Sequence, residues 1–101
     1  MKLAIDSDHA GFRLKEKLIG LLAKKGFEVL DFGTHSEESV DYPDFAHPVA
    51  DAVEQGNAVF GILICGSGNG INMTANKHSG IRSALCWNEE VARLARNHNN
   101  A

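Results

Sequence analysis

The sequence predicts an α/β domain in which a parallel sheet lies between helices on both faces. Short apolar runs of strand length alternate with longer segments in which hydrophobic residues recur with the helical period. Strand and helix alternate in this way along the whole chain, an order that favours right-handed crossovers between parallel strands. The 101 residues are 44% hydrophobic and 23% charged. That composition fits a soluble globular domain and excludes collagen-like, coiled-coil and low-complexity chains.

The first strand and the first helix are predicted near the N-terminus. Residues 3–5 form a short apolar run, and a polar turn over residues 6–11 follows it. The next segment has leucines on one helical face and lysines away from that face. The leucines are Leu14, Leu18, Leu21 and Leu22, and the lysines are Lys15, Lys17, Lys24 and Lys25. Cations in the last turn followed by Gly26 predict the helix end, and residues 27–32 predict the second strand.

A second helix is predicted after a polar surface loop over residues 33–41. Pro43 suits the first turn of this helix, because its ring fixes a helical φ and the first turn needs no N–H donor. The polar residues 55–57 end the helix. Its core-facing residues would be Phe45, Val49 and Val53.

The second half of the chain repeats the alternation. Residues 58–65, the most hydrophobic stretch, predict the buried central strand. A glycine-rich loop follows and leads into a third helix through Lys77. Residues 81–87 predict a fourth strand, and Asn88 can cap a fourth helix through Arg96.

Charge and cysteine usage limit the partners and the compartment. The net charge of −3 provides no field toward nucleic acid or an anionic membrane, so we expect neither partner. No apolar run approaches the length of a membrane span, and the first residues lose their apolar character too early for a secretory signal. The two cysteines form no disulfide framework, and the five histidines show no metal-binding spacing. We therefore expect a cytoplasmic protein without a metal site.

The residues after the predicted fourth helix indicate how the domain is organised. No strand follows the predicted fourth helix, and no linker or internal repeat divides the chain. We therefore expect a single domain over residues 1–101 that is C-terminally incomplete and leaves one edge of the sheet unpaired.

Three polar clusters, residues 6–9, 65–70 and 86–88, follow predicted strands, where ligands of open α/β sheets bind. The strongest cluster is 65–70, Cys-Gly-Ser-Gly-Asn-Gly. Its alternate glycines allow close approach of the backbone, and its N–H groups open onto a helix N-terminus, as in anion sites. A tight strand-to-helix turn with a buried cysteine explains the same pattern, so both interpretations stay open. Cys65 lies where a helix dipole favours the thiolate, and it could act as a nucleophile or as a base.

Other phosphate-site patterns match the chain weakly. A cysteine-dependent phosphatase needs an arginine where this chain has Ile71, and a Walker loop needs a Gly-Lys-Ser/Thr ending that is absent. The dinucleotide fingerprint places its third glycine one residue later than Gly70. Asp6-Ser7-Asp8 could hold Mg²⁺ in a phosphohydrolase, but the candidate for the further acidic pair that such enzymes need after a later strand, residues 89–90, lies in a helix start. Capping and loop hydrogen bonds are the favoured explanation for Asp6.

The remaining polar and aromatic side chains are isolated in the sequence. His35, His47 and His78 are expected to be ordinary surface or packed residues, and Tyr42 is expected to pack beside Pro43. Cys86 is expected to be a core residue of the fourth strand.

Several separate motifs run through the whole chain in order: DHAGF at 8–12, SVDYPD at 39–44, GILICGSG at 61–68, ANK at 75–77, GIR at 80–82 and ARNHN at 95–99. Together they resemble the family of type B ribose-5-phosphate isomerases, which includes isomerases of galactose 6-phosphate and allose 6-phosphate. The resemblance implies a Rossmann-like three-layer α/β/α sandwich with a parallel sheet, without the final strand and helix of the family.

The resemblance also implies an activity, namely interconversion of D-ribose 5-phosphate and D-ribulose 5-phosphate through an enediol, in the pentose phosphate pathway and without metal or organic cofactor. Cys65 matches the family's base, Ser67 would assist proton movement, and His98 would open the sugar ring. Asp8 would hold sugar hydroxyls, His9 would contribute to the phosphate end and Asn99 would orient the substrate. The substrate-binding residues implied in this way are Asp8, His9, Tyr42, Gly66, Ser67, Gly68, Asn69, Gly70 and Asn99.

Finally, the resemblance implies a homodimer or homotetramer whose active sites are shared between subunits, which would let His98 meet Cys65. The family often has Thr where this chain has Ser67, so the hydroxyl is retained. Arginines of the family that lie beyond this chain help bind phosphate, and we therefore expect the 101-residue chain to be a poor catalyst. An isomerase of a hexose 6-phosphate and a non-catalytic phosphosugar-binding domain remain as alternatives.

Overall fold

A computed structural model describes residues 1–33 and 43–101 of the chain. In these ranges three strands alternate with helices, and two helices close the chain. The elements are β1 Lys2–Ser7, α1 Phe12–Lys24, β2 Glu28–Asp31, α2 Pro43–Glu54, β3 Phe60–Ile64, α3 Asn69–Ala75 and α4 Glu89–Asn99. The predicted loop at 33–41 and the packing of Tyr42 lie almost wholly outside the described residues.

The strands form a parallel sheet in the order β2-β1-β3. β1 is the central strand, and its Leu3, Ala4 and Ile5 are all buried. The prediction that residues 58–65 form the central strand is wrong, because β3 lies at an edge of the described sheet and its side chains are mostly half-buried. Hydrophobicity alone did not identify the centre because β1 also buries two polar residues, Asp6 and Ser7.

The core lies between the sheet and α2. It is built from small residues, with Ala4, Val49, Ala52 and Ala58 as its buried members. Gly61 allows the close approach of helix and strand, since a Cβ at this position would lie 2.6 Å from a methyl carbon of Val49. The prediction that Pro43 starts α2 and that Val49 faces the core is confirmed.

Helix α1 is confirmed, but its predicted faces are partly wrong. Lys15 is fully buried, whereas Leu14 and Leu21 are about half exposed, at 52% and 50%. The Lys15 ammonium binds both carboxylate oxygens of Asp31 at 2.8 Å and contacts the carbonyl oxygen of Gly33 at 3.3 Å. A buried charge is tolerated when it is paired and hydrogen-bonded in this way.

The predicted fourth strand at residues 81–87 is not formed as a strand. The side-chain amide of Asn76 donates to the carbonyl of Ser83 and accepts from its N–H, both at 2.8 Å. These are the backbone groups that a neighbouring strand would use, so a side chain takes the place of a ladder partner. Cys86 is correspondingly exposed, and its prediction as a core residue is wrong.

The last helix forms as predicted. The Asn88 side chain accepts a hydrogen bond from the N–H of Val91 at 2.8 Å, which caps the start of α4. At the other end Asn100 adopts the left-handed conformation and its N–H bonds to the carbonyl of Arg96. Throughout residues 1–33 and 43–101, no helix combines the length and the apolar character needed to cross a membrane.

Candidate active site

Two loops meet at the carboxyl edge of the sheet, one after β1 and one after β3. The N–H of Asp8 donates to the carbonyl of Ile64 at 3.1 Å. A Cβ at Gly11 would lie 2.6 Å from the Ile64 side chain, and one at Gly66 would lie 3.8 Å from the Ala10 Cβ. Of the three polar clusters predicted to meet at this edge, residues 6–9 and 65–70 converge, and Cys86 of the third lines the same cavity as Cys65.

The acidic residues after β1 have different surroundings. Asp8 is 9% exposed, and its Oδ1 accepts the N–H of Gly11 at 3.0 Å, which shapes the turn into α1. Asp6 is fully buried, its Oδ1 accepts the N–H of Ser7 at 2.7 Å, and a Cβ at Gly33 would lie 2.5 Å from the same oxygen. The loop-bonding explanation for Asp6 is supported. The set of potential metal ligands found among the described residues includes neither aspartate.

The loop after β3 turns around the sulfur of Cys65. The N–H of Gly68 donates to Cys65 Sγ at 3.1 Å, and the N–H of Asn69 donates to Ser67 Oγ at 3.3 Å. Cys65 is half-buried and Ser67 is exposed. The loop therefore holds a sulfur in position among backbone donors.

A side chain is not easily accommodated at Gly68 in this turn. Its φ of +81° lies in the left-handed region, and a Cβ there would lie 2.4 Å from Leu85 Cδ1. A side chain at position 68 would therefore strain the turn that brings the Gly68 N–H to Cys65 Sγ.

A cavity of about 770 Å³ opens beside this loop. It lies between β3 and the extended segment 81–86, and residues 65–68 line one end of it. Cys86 lines the same cavity, a residue that the sequence interpretation had assigned to the core. A volume of this size suits a small-molecule ligand.

His98 and Asn99 lie elsewhere. They line a second cavity of about 430 Å³ together with Asn76, and neither lines the cavity that contains Cys65. His98 and Cys65 therefore line different cavities, which share Arg82, Ser83, Ala84 and Ala101. His9 is half-buried in the loop after β1, close to the Cys65 loop, whereas Tyr42 lies outside the described residues.

The fold and the site define a class of protein, a parallel α/β domain with a cysteine in a glycine loop at the carboxyl edge of its sheet. The chain belongs to the Ribose/Galactose Isomerase family, whose model matches residues 3–101. It is 48% identical over 98 residues to ribose-5-phosphate isomerase B of Escherichia coli strain K12, covering 97% of this chain and 66% of that protein.

Solved structures agree with this assignment. The chain matches ribose-5-phosphate isomerase B of Clostridium thermocellum with a TM-score of 0.98 and 54% identity, over 100% of this chain and 68% of that one. It matches the Mycoplasma genitalium enzyme with bound ribulose-5-phosphate with a TM-score of 0.93 and 45% identity, over 99% and 67% of the two chains. The chain thus spans about two thirds of the length of these relatives. The Rossmann-like α/β fold is confirmed.

Proposed function

We propose that the protein is an aldose–ketose isomerase that interconverts D-ribose 5-phosphate and D-ribulose 5-phosphate in pentose phosphate metabolism. The observation that carries the proposal is the sulfur of Cys65, which accepts a backbone N–H at the carboxyl edge of the sheet and lines a cavity beside β3. Family membership supports it, as do two relatives named ribose-5-phosphate isomerase B and a neighbour with bound ribulose-5-phosphate.

In the proposed reaction Cys65 acts as the base. Its thiolate takes the proton from C2 of the open-chain aldose, and the C–H electron pair forms the C1=C2 bond while the carbonyl oxygen O1 becomes an alkoxide. A proton then moves from O2 to O1, and the C2–O2 double bond forms as C1 takes up the proton that the sulfur holds. The product is the ketose, and no oxidant or reductant is consumed.

The loop that positions Cys65 would also stabilise the enediolate. Backbone N–H groups within residues 66–70 can donate to the oxygen on which charge develops, and each such preorganised donor contributes about 3 kcal/mol in comparable oxyanion sites. The exposed hydroxyl of Ser67 is suited to relay the proton between O1 and O2. The remaining contacts to the sugar are assigned to Asp8 for its hydroxyls and to His9 for the phosphate end.

The proposal includes a site shared between subunits of a cytoplasmic homodimer or homotetramer. His98 would open the sugar ring by acid–base transfer and Asn99 would orient the substrate. Their position in a different cavity from Cys65 supports this arrangement, because a second copy could supply them to the Cys65 cavity. Tyr42 completes the proposed substrate contacts.

Solvent exchange tests the proposal directly. The chain is incubated in D₂O with ribose 5-phosphate, and NMR follows ketose formation and deuterium at C1 of the product; slow turnover is still detected because label accumulates. We expect ribulose 5-phosphate that carries deuterium. Saturable binding without exchange or ketose formation would instead indicate a phosphosugar-binding domain.

The same assay with allose 6-phosphate and galactose 6-phosphate tests which sugar phosphate the protein prefers as its substrate. We expect a higher kcat/KM for the pentose phosphate. A clear preference for either hexose phosphate would overturn the choice of sugar, and release of inorganic phosphate that stops on chelation would indicate a phosphohydrolase.

A further inference from the structure

Four ionisable side chains from two distant parts of the sequence meet at the contact between α2 and the turn after α3. His47, Asp51 and Glu54 lie at positions i, i+4 and i+7 of α2 and so share one helical face. His78 follows α3 and turns toward that face. Its Nδ1 lies 3.4 Å from Asp51 Oδ1 and 3.6 Å from Glu54 Oε1.

Two of these side chains are oriented by further hydrogen bonds. His78 Nε2 lies 2.8 Å from His47 Nδ1, and the N–H of Gly80 donates to Glu54 Oε2 at 2.6 Å. These bonds use His78 Nε2 and Glu54 Oε2. They leave His78 Nδ1 and Glu54 Oε1 on the side of Asp51. Metal-binding histidines and carboxylates in proteins are typically oriented through their second polar atom in this way.

We propose that His78 Nδ1, Asp51 Oδ1 and Glu54 Oε1 form a binding site for a divalent transition metal of the zinc class. The three atoms lie within 4.8 Å of one another. Tetrahedral bonds of about 2.0–2.2 Å separate neighbouring ligand atoms by about 3.3–3.6 Å, which matches both distances from His78. A neutral imidazole and two carboxylates carry two negative charges, which a divalent cation neutralises, and water fills the fourth position.

The site lies away from the Cys65 loop. α2 ends at Glu54 shortly before β3 begins, and α3 starts at the Cys65 loop and runs back toward its end near His78. Glu54 and His78 are therefore at the amino edge of the sheet, opposite the candidate active site. A metal there would clamp α2 to the turn after α3, so the site is structural and stands independently of the proposed isomerase activity. This proposal differs from the sequence-based expectation that the chain has no metal site.

Calorimetric titration of the chelator-treated chain with ZnCl₂ tests the site. We expect saturable binding of one Zn²⁺ per chain, and an unfolding temperature that rises with zinc concentration. His78→Gln and Glu54→Gln should each weaken binding at least about tenfold, since each removes a ligand. Glu28→Gln, which neutralises an exposed carboxylate on β2, is the matched control and should bind zinc like the unsubstituted chain.

Two further measurements distinguish zinc binding at His78, Asp51 and Glu54 from zinc binding elsewhere on the chain. His47→Gln should weaken zinc binding about tenfold, because it removes only the partner that orients His78. Co²⁺ in place of zinc should give the visible absorption of a tetrahedral site without thiolate charge-transfer bands. Circular dichroism of the metal-free variants should match the unsubstituted chain, since glutamine keeps a polar side chain of similar size at each substituted position.

Three outcomes would overturn the proposal. The first is no zinc binding by the unsubstituted chain, in which case the cluster is an ion pair only. The second is binding that His78→Gln and Glu54→Gln leave unchanged. The third is a cobalt spectrum with thiolate bands, which would place the metal on Cys65 or Cys86.

Discussion

At the scale of single residues, the geometry around Cys65 depends on Gly68. We expect Gly68→Ala to lower the free energy of unfolding by about 2–4 kcal/mol, from the left-handed backbone conformation and from overpacking against Leu85. Gly20→Ala is the matched control, because nothing lies within 4 Å of a Cβ there and the residue is inside α1. That change should stabilise the chain by about 0.5–1 kcal/mol. Equal urea midpoints for the two variants would contradict the account.

Ser67 provides a second test at this scale. Ser67→Ala should lower kcat more than it raises KM, because the hydroxyl acts while the proton moves between the two oxygens. Ser67→Thr retains the hydroxyl and should restore most of the rate. A rise in KM alone for Ser67→Ala would assign the hydroxyl to binding instead of turnover.

The sequence predicted the candidate site where its parts are contiguous. The Cys65 loop follows a strand and precedes a helix, so its position at the edge of the sheet could be inferred from order alone. The pairing of His47 with His78 could not, because the two histidines are distant in sequence and meet only through the packing of α2 on α3. Cys86 was misplaced because residues 81–87 do not form the predicted strand.

At the scale of elements, the ion pair between Lys15 and Asp31 joins α1 to the end of β2. Asp31→Asn should lower the free energy of unfolding by about 3 kcal/mol, because it leaves a fully buried ammonium with only the half-exposed Glu16, at 3.3 Å, as its charged partner. Lys17→Met, which changes an exposed lysine on the same helix, should stay within about 0.5 kcal/mol. Thermal unfolding of both variants measures the difference, and a similar loss for both would show that Asp31 does not stabilise Lys15.

Element positions were predictable where local signals dominate. α1, α2 and α4 have helical periodicity and clear end signals, such as Pro43 and Asn88, and all three form, although α4 continues three residues beyond the predicted Arg96. The segment 81–87 has strand composition but no strand partner among the described residues, and the Asn76 side chain bonds its backbone at Ser83 instead. Lys15 was placed on the exposed face because a periodicity argument treats lysine as polar, whereas Asp31 makes its burial favourable.

At the scale of the whole molecule, the placement of His98 and Cys65 in the linings of different cavities leads to a prediction about assembly. Cys65→Ala and His98→Asn should each be nearly inactive alone. If each site combines Cys65 of one subunit with His98 of another, mixing the two variants with subunit exchange restores intact sites in the mixed assemblies. Activity that does not recover after exchange, confirmed by native mass spectrometry, would place both residues in a site within one chain.

The central claim concerns the sulfur of Cys65, and the two cysteines that line one cavity allow a matched comparison. The measurement is the rate of deuterium uptake from D₂O into the ketose product for Cys65→Ala and Cys86→Ala. We predict that Cys65→Ala lowers this rate at least about 100-fold, as expected on removal of a general base, while Cys86→Ala exchanges like the unsubstituted chain. Near-normal exchange by Cys65→Ala would contradict the account.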